Sequence, residues 1–174
     1  MRKLHIGGMQ KVAGWEILDA IQRPEVDHLG NAADLSRFAD ETFDEIYASH
    51  VVEHFDYKDA LPQVLAEWRR VMVPGGTLYV SVPDLDTLAE LVLLRETLTI
   101  EDRWMVMRMM FGGHVDEYDY HYVGLNQEFL AHFLTRAGFV NIRRVDEFGL
   151  FDDTSNMRFK GIPISCNLIA TKPH

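Results

Sequence analysis

Phe43-Asp44-Glu45-Ile46-Tyr47-Ala48-Ser49-His50-Val51-Val52-Glu53-His54-Phe55, followed by Arg70-Val71-Met72-Val73-Pro74-Gly75-Gly76-Thr77-Leu78-Tyr79-Val80-Ser81-Val82-Pro83-Asp84, are the stretches whose reading decides the fold. The first is a short apolar strand that runs into a polar loop carrying Ser49, His50 and Glu53. Between the two, Leu61, Val64, Leu65, Trp68, Val71 and Met72 recur at helical spacing, with Asp59 as N-cap and Pro62 confined to the first turn. Gly75-Gly76 ends that helix, and Leu78 to Val82 reads as a second buried strand. Strand, helix and strand in this order make one parallel crossover unit.

Upstream, Lys3 to Ile6, Trp15 to Asp19 and Val26 to Leu29 read as short strands separated by Gly, Pro and Asn. Downstream, Asp84 or Asp86 caps a helix through Leu88, Leu91 and Val92, and a Met-rich helix spans about Glu101 to Phe111. Asn126 opens a further helix, with Phe129, Leu130, Phe133, Leu134 and Ala137 on one face and Gly138 just beyond it. Strands over Val140 to Val145 and Ile162 to Thr171 complete the chain. No repeat or linker divides it, so one domain over residues 1–174 is expected.

The sequence from Asp34 to Asp84, with Phe43-Asp44-Glu45-Ile46, Glu53-His54 and the Pro74-Gly75-Gly76 turn, resembles the central segment of class I S-adenosylmethionine-dependent methyltransferases, in particular their small predicted bacterial members. Ala137-Gly138-Phe139 before a strand extends the resemblance to the C-terminal part. It implies a seven-stranded, mostly parallel Rossmann-like α/β sheet with an antiparallel C-terminal hairpin. It also implies S-adenosylmethionine as cofactor and methyl transfer to an oxygen or nitrogen of a small molecule, a saccharide or a secondary metabolite.

The chain departs from the family near its start. His5 stands where an acidic residue is usual, Gly7-Gly8 lacks the third glycine, and the six residues between Gly8 and Trp15 cannot hold a crossover helix. The first helices are therefore expected to be shortened or missing, together with the helix N-terminus that would face the cofactor's carboxylate. Two consequences follow. The alternative to an enzyme is a non-catalytic methyltransferase-like binding or assembly module with a degenerate cofactor loop. The sheet face left bare is expected to be covered by the Met-rich helix or by a second copy of the chain, as a homodimer.

Ligands of open α/β sheets sit beyond the carboxyl ends of the strands. The expected cofactor contacts are accordingly Gly7 and Gly8 after the first strand, Asp19 on the ribose hydroxyls, Asn31, Ala33, Asp34 and Leu35 around the adenine, and Ser49 and His50 after the fourth strand. A hydroxyl acceptor needs a base, for which His121, His54 and His50 are the candidates. His50, Glu53 and His54, at i, i+3 and i+4, are the ligands should a divalent metal bind, although no metal is expected and a role in ordering the loop or in acid–base chemistry is the preferred reading. Tyr118, Tyr120 and Tyr122 read either as a packed loop or short strand, or as an aromatic wall for the sulfonium cation.

Composition narrows the partners. A chain of 174 residues with 47% hydrophobic content has a core of its own, and its net charge of −10 argues against broad attraction to nucleic-acid phosphates or anionic lipid. Cys166, the single cysteine, lies in an apolar run and reads as a buried, inert thiol. Met1-Arg2-Lys3-Leu4-His5 leads straight into glycines, and no apolar run reaches the roughly 20 residues of a membrane span, so a cytoplasmic chain without a leader, acting on a small molecule, is expected.

Overall fold

β4 (Phe43–Ser49) and β5 (Met72–Pro83) pair in parallel, with Ile46 opposite Leu78 and Ala48 opposite Val80, and α1 (Ala60–Val71) connects them. The computed structural model describes Met1–His174 and builds the remaining sheet on this unit. β1 (Lys3–Ile6), β2 (Trp15–Asp19) and β3 (His28–Leu29) continue it in parallel on one side. On the other side β9 (Ser165–Thr171) runs antiparallel between β5 and β6 (Val140–Val145), giving seven strands in the order β3-β2-β1-β4-β5-β9-β6. A two-residue pairing of β7 (Arg158–Phe159) with β8 (Ile162–Pro163) stands apart from the sheet. The Pro74-Gly75-Gly76 turn is absorbed into β5, where the register to β4 shifts between Phe43 and Glu45.

One face of the sheet is apolar and covered by helices. Leu4, Ile6, Ile46, Ala48, Leu78, Val80 and Leu168 meet Leu61, Val64, Leu65 and Trp68 of α1, and Leu130 and Leu134 of α4 (Gln127–Arg136), in one continuous core. Cys166 belongs to it; burial pushes its thiol up to about 12, as its apolar setting demands. The start of α1 departs from expectation: Asp59 makes no side-chain cap. Asp56 serves instead, its carboxylate accepting from the amides of Lys58, Asp59 and Ala60. At α4 the expected cap is present, Asn126 Oδ1 accepting from Phe129 N–H at 2.8 Å.

The opposite face has no crossover helices after β1 or β2, as the short connections require. Its cover is a correction to the sequence reading. The Met-rich helix does not lie there; residues 146–156, which follow β6, do. Phe148, Leu150 and Phe151 pack on Trp15, Tyr47 and Tyr79. The Tyr47 hydroxyl donates to Asp153 and accepts from Ser155 Oγ, and Asn167 Nδ2 donates to the carbonyls of Asp146 and Ser155. Further out the face is closed by an ion pair, Lys3 to Glu45 at 2.8 Å. That surface needs no partner, which removes the ground on which a homodimer was expected. The Met-rich helix, α3 (Ile100–Phe111), starts with a Thr99–Asp102 capping box and packs on α2 (Leu85–Leu93) around Leu88, Leu91, Val106 and Ile164. No helix is long and apolar enough to cross a membrane.

Candidate active site

A cavity of about 640 Å³ opens at the carboxyl ends of β1, β2 and β4, the position and size at which open α/β sheets take small molecules. Gly7, Asp19, Asn31, Ser49 and His50, all expected from the sequence, line it together with Ile6, Leu18 and Ala32. The segment between α3 and α4 contributes Val115 to Tyr120 and Tyr122.

Four expected contacts do not reach the cavity. Leu35 is fully buried in the core, because its side chain is needed under α1. Asp34 is exposed and spends its carboxylate on the Ser36 amide in a turn. Ala33 points outward, its amide held by Asn31 Oδ1 at 2.8 Å, so that Ala32 rather than Ala33 forms the wall. Gly8 lies behind the wall, where its missing side chain makes room for the ring of His5. Gly7 does line the cavity: φ is +75°, a conformation that suits glycine, and a Cβ would stand 3.0 Å from Val51.

Asp19 is paired. Its Oδ2 accepts from Arg23 at 2.8 Å and its Oδ1 from the Ile21 amide at 2.7 Å, while Arg23 also donates to the Gly8 carbonyl at 3.0 Å. Arg23 thus ties the loops after β1 and β2 together where no helix does so. Two further side chains hold the loop after β3. Trp68 Nε1 donates to Ala32 O at 2.8 Å, and Arg70 donates to Leu35 O and Phe38 O. Sequence reasoning missed Arg23, Ala32 and Trp68 as site residues. The Asp19–Arg23 spacing of i, i+4 was a usable signal, whereas Trp68 reads only as a core position.

Beside the cavity, three histidines surround one carboxylate. Glu53 is 1% exposed, and neither carboxylate oxygen has a hydrogen-bond partner. His50 Nδ1 lies 3.8 Å and His121 Nε2 4.0 Å from Glu53 Oε1, and the rings of His54 and His121 meet edge to face at 4.8 Å. Burial drives all of them toward neutrality. Glu53 is pushed up to about 8, His50 down to about 3 and His121 down to about 4, with His54 also lowered; the neighbouring histidines depress His50 and His121 further. His50 and His54 line the cavity, whereas His121 is set behind them. His50 adopts a left-handed backbone, φ +54°, which turns the chain out of β4 and lets Nε2 reach Ser165 Oγ at 2.9 Å. Tyr118, Tyr120 and Tyr122 belong to a loop, not a strand, and all three face the cavity. Tyr120 is stacked on His114 at 4.1 Å.

Residues 16–80 match the family described as methyltransferase domain. No curated protein matches the chain. Among solved structures, the CurJ carbon methyltransferase superposes with a TM-score of 0.58 at 17% identity over 99% of this chain, which spans only 48% of that one. A Burkholderia thailandensis 1,6-didemethyltoxoflavin-N1-methyltransferase, solved with 1,6-didemethyltoxoflavin and S-adenosylhomocysteine, gives a TM-score of 0.60 at 16% identity, over 99% of this chain and 71% of that one. An S-adenosylmethionine-dependent methyltransferase from Archaeoglobus fulgidus gives 0.61 at 15%, over 98% and 86%. With its strand order and its antiparallel final hairpin, the chain has the Rossmann-like fold of these solved methyltransferases, and residues 16–80 carry the pattern of the methyltransferase-domain family.

Proposed function

We propose that the chain binds S-adenosylmethionine in this cavity and transfers its methyl group to an oxygen or nitrogen of a small-molecule acceptor, a saccharide or a secondary metabolite. The observation that carries the reading is the convergence of Gly7, Asp19, Asn31 and Ser49, from the ends of four successive parallel strands, on one cavity of about 640 Å³. Its wall suits the cofactor. Gly7 leaves backbone free for close approach. Asp19, already oriented by Arg23, offers charged acceptors to ribose hydroxyls. Asn31 and Ala32 take the adenine end that the sequence assigned to Asp34 and Leu35.

S-adenosylmethionine supplies an electrophilic methyl on a sulfonium, so that attack by the acceptor in line with the breaking S–C bond needs chiefly alignment in a dry pocket. Tyr118, Tyr120 and Tyr122 provide aromatic faces toward that positive charge. For a hydroxyl acceptor, His54 is the best-placed base. It lines the cavity, and its Nδ1 donates to Tyr120 O at 3.0 Å, leaving the lone pair on Nε2. His50 is second, and His121 acts from behind.

Calorimetric titration with S-adenosylmethionine and S-adenosylhomocysteine tests the proposal. Saturable binding that Asp19→Ala weakens about 10-fold or more, the loss of one or two charge-assisted hydrogen bonds, supports it. One observation favours a second reading, the missing helix after Gly8. A folded chain that binds neither compound would be a non-catalytic methyltransferase-like module.

A further inference from the structure

We propose that Glu53, His54 and His121 form a site for one divalent transition-metal ion of the zinc class, a set that differs from the His50, Glu53 and His54 suggested by sequence spacing. One ligand atom from each of the three lies within 4.8 Å of the others. The unusual member is Glu53, a carboxylate 1% exposed whose two oxygens have no donor. Buried carboxylates are ordinarily paired, hydrogen-bonded or metal-bound.

The histidines around Glu53 have committed their ring protons elsewhere. His54 Nδ1–H donates to Tyr120 O at 3.0 Å and His121 Nδ1–H to Met110 O at 3.3 Å. His50 Nε2–H donates to Ser165 Oγ, whose own proton goes to Thr154 O at 2.8 Å. In its neutral form each imidazole therefore carries a lone pair on the remaining nitrogen. Those of His50 and His121 stand 3.8 and 4.0 Å from Glu53 Oε1. Electron pairs facing a carboxylate at that range repel unless a cation lies between them. The separations are too long for a directly shared proton. They are close to the spacing of about 3.4 Å between two ligands that each sit about 2.1 Å from a tetrahedral ion.

The supporting shell has the form metal sites require. A ligating imidazole usually donates its other N–H to a carbonyl or carboxylate, which sets the tautomer and aims the lone pair. His54 and His121 both do so. The two halves of the site, 67 residues apart, are joined by main chain through Tyr122 N–H on Glu53 O at 2.8 Å. Two imidazoles and one carboxylate leave a coordination position open, and His54 is the member on the cavity wall; with the ion bound its lone pair is taken, and the base role passes to His50. The inference does not rest on methyl transfer: uptake of the ion by a chain that binds no S-adenosylmethionine would still uphold it.

The test uses the full chain stripped with chelator. It is titrated with Co²⁺, followed by its visible ligand-field bands, and dialysed against Zn²⁺ for elemental analysis. One ion per chain is expected, with affinity lowered about 10-fold or more by Glu53→Gln and by His121→Ala. His114→Ala, in the exposed acidic loop, should leave the affinity unchanged. Circular dichroism establishes that each variant is folded, and His121→Asn stands in if Glu53→Gln is not. Absence of bound ion in the folded protein would overturn the proposal. So would undiminished binding by the folded Glu53 and His121 variants, or binding that only His114→Ala removes.

Discussion

Gly8→Ala separates a glycine kept for a ligand from one kept for packing. A Cβ on Gly8 would stand 2.8 Å from Cγ and Nδ1 of His5 and 3.2 Å from Cδ2. The ring has nowhere to go: its centroid lies 4.1 Å from that of Phe151 and 4.8 Å from that of Tyr47, and His5 is 4% exposed beneath residues 146–156. The added methyl therefore overpacks an aromatic cluster, at about 1–3 kcal/mol. For a chain of 174 residues that is a fall in Tm of about 2–12 °C. Since Gly8 lies behind the cavity wall, affinity of the folded variant for S-adenosylhomocysteine should stay within about two-fold of the parent. Thermal melts and calorimetric titration measure the two quantities side by side. In a His5→Ala background, with the ring removed, the cost of Gly8→Ala should drop below about 0.5 kcal/mol. A Gly8→Ala protein that melts like the parent but has lost ligand affinity would refute the packing account and return the residue to the site.

Trp68→Phe removes the indole donor from Ala32 O while keeping most of the buried bulk. The orphaned carbonyl is worth about 1 kcal/mol, read as a lower Tm and as about 5-fold weaker binding of S-adenosylhomocysteine; unchanged values for both would show that the bond does not shape the cavity wall. His5 yields a pH dependence. Desolvation lowers its pKa to about 4 from 6.5, outweighing the opposing pull of Asp153 and Asp19, so between those values the unfolded chain holds a proton that the folded chain refuses. Stability linked to His5 therefore falls as pH falls through that window, by about 3 kcal/mol in all. His5→Phe should lose correspondingly less, so that urea midpoints of variant and parent diverge from pH 7 down to pH 4. Parallel curves would contradict the assignment.

The centre of the chain was legible because local rules agree there. The periodic apolar positions from Leu61 to Val71 bury the side of α1 that faces the sheet, and Asn126 caps α4 as its chemistry suggests. What escaped notice depends on contacts distant in sequence. Residues 146–156 carry no periodic pattern, and their role appears only when Tyr47 meets Asp153 and Ser155, more than 100 positions away. The face they cover nevertheless announced its character: His5, Tyr47, Tyr79, Ser81 and Asn167 alternate with apolar neighbours along their strands, which is polar patterning suited to a hydrogen-bonding loop and not to a helix.

The same logic explains the site. Asn31, Ala32, Ala33 and Asp34 occupy one turn, and composition cannot tell which of them faces inward; the Asn31–Ala33 hydrogen bond decides it in favour of Asn31 and Ala32. His121 joins Glu53 only because Tyr122 N–H docks on Glu53 O. Where a crossover helix would have offered its N-terminal dipole and a rigid frame, the chain substitutes side-chain anchors on backbone carbonyls, Arg23 on Gly8, Trp68 on Ala32 and Arg70 on Leu35 and Phe38. Each anchor fixes a loop that borders the cavity, and Arg23, its charge balanced by Asp19, replaces the helix as a frame for the glycine loop. The lost helix dipole is worth only about 0.3–1 kcal/mol toward an anion. The short connections are thus compatible with a working cofactor site, and the weight of the functional question shifts from the glycine loop to the Asp19–Arg23 pair.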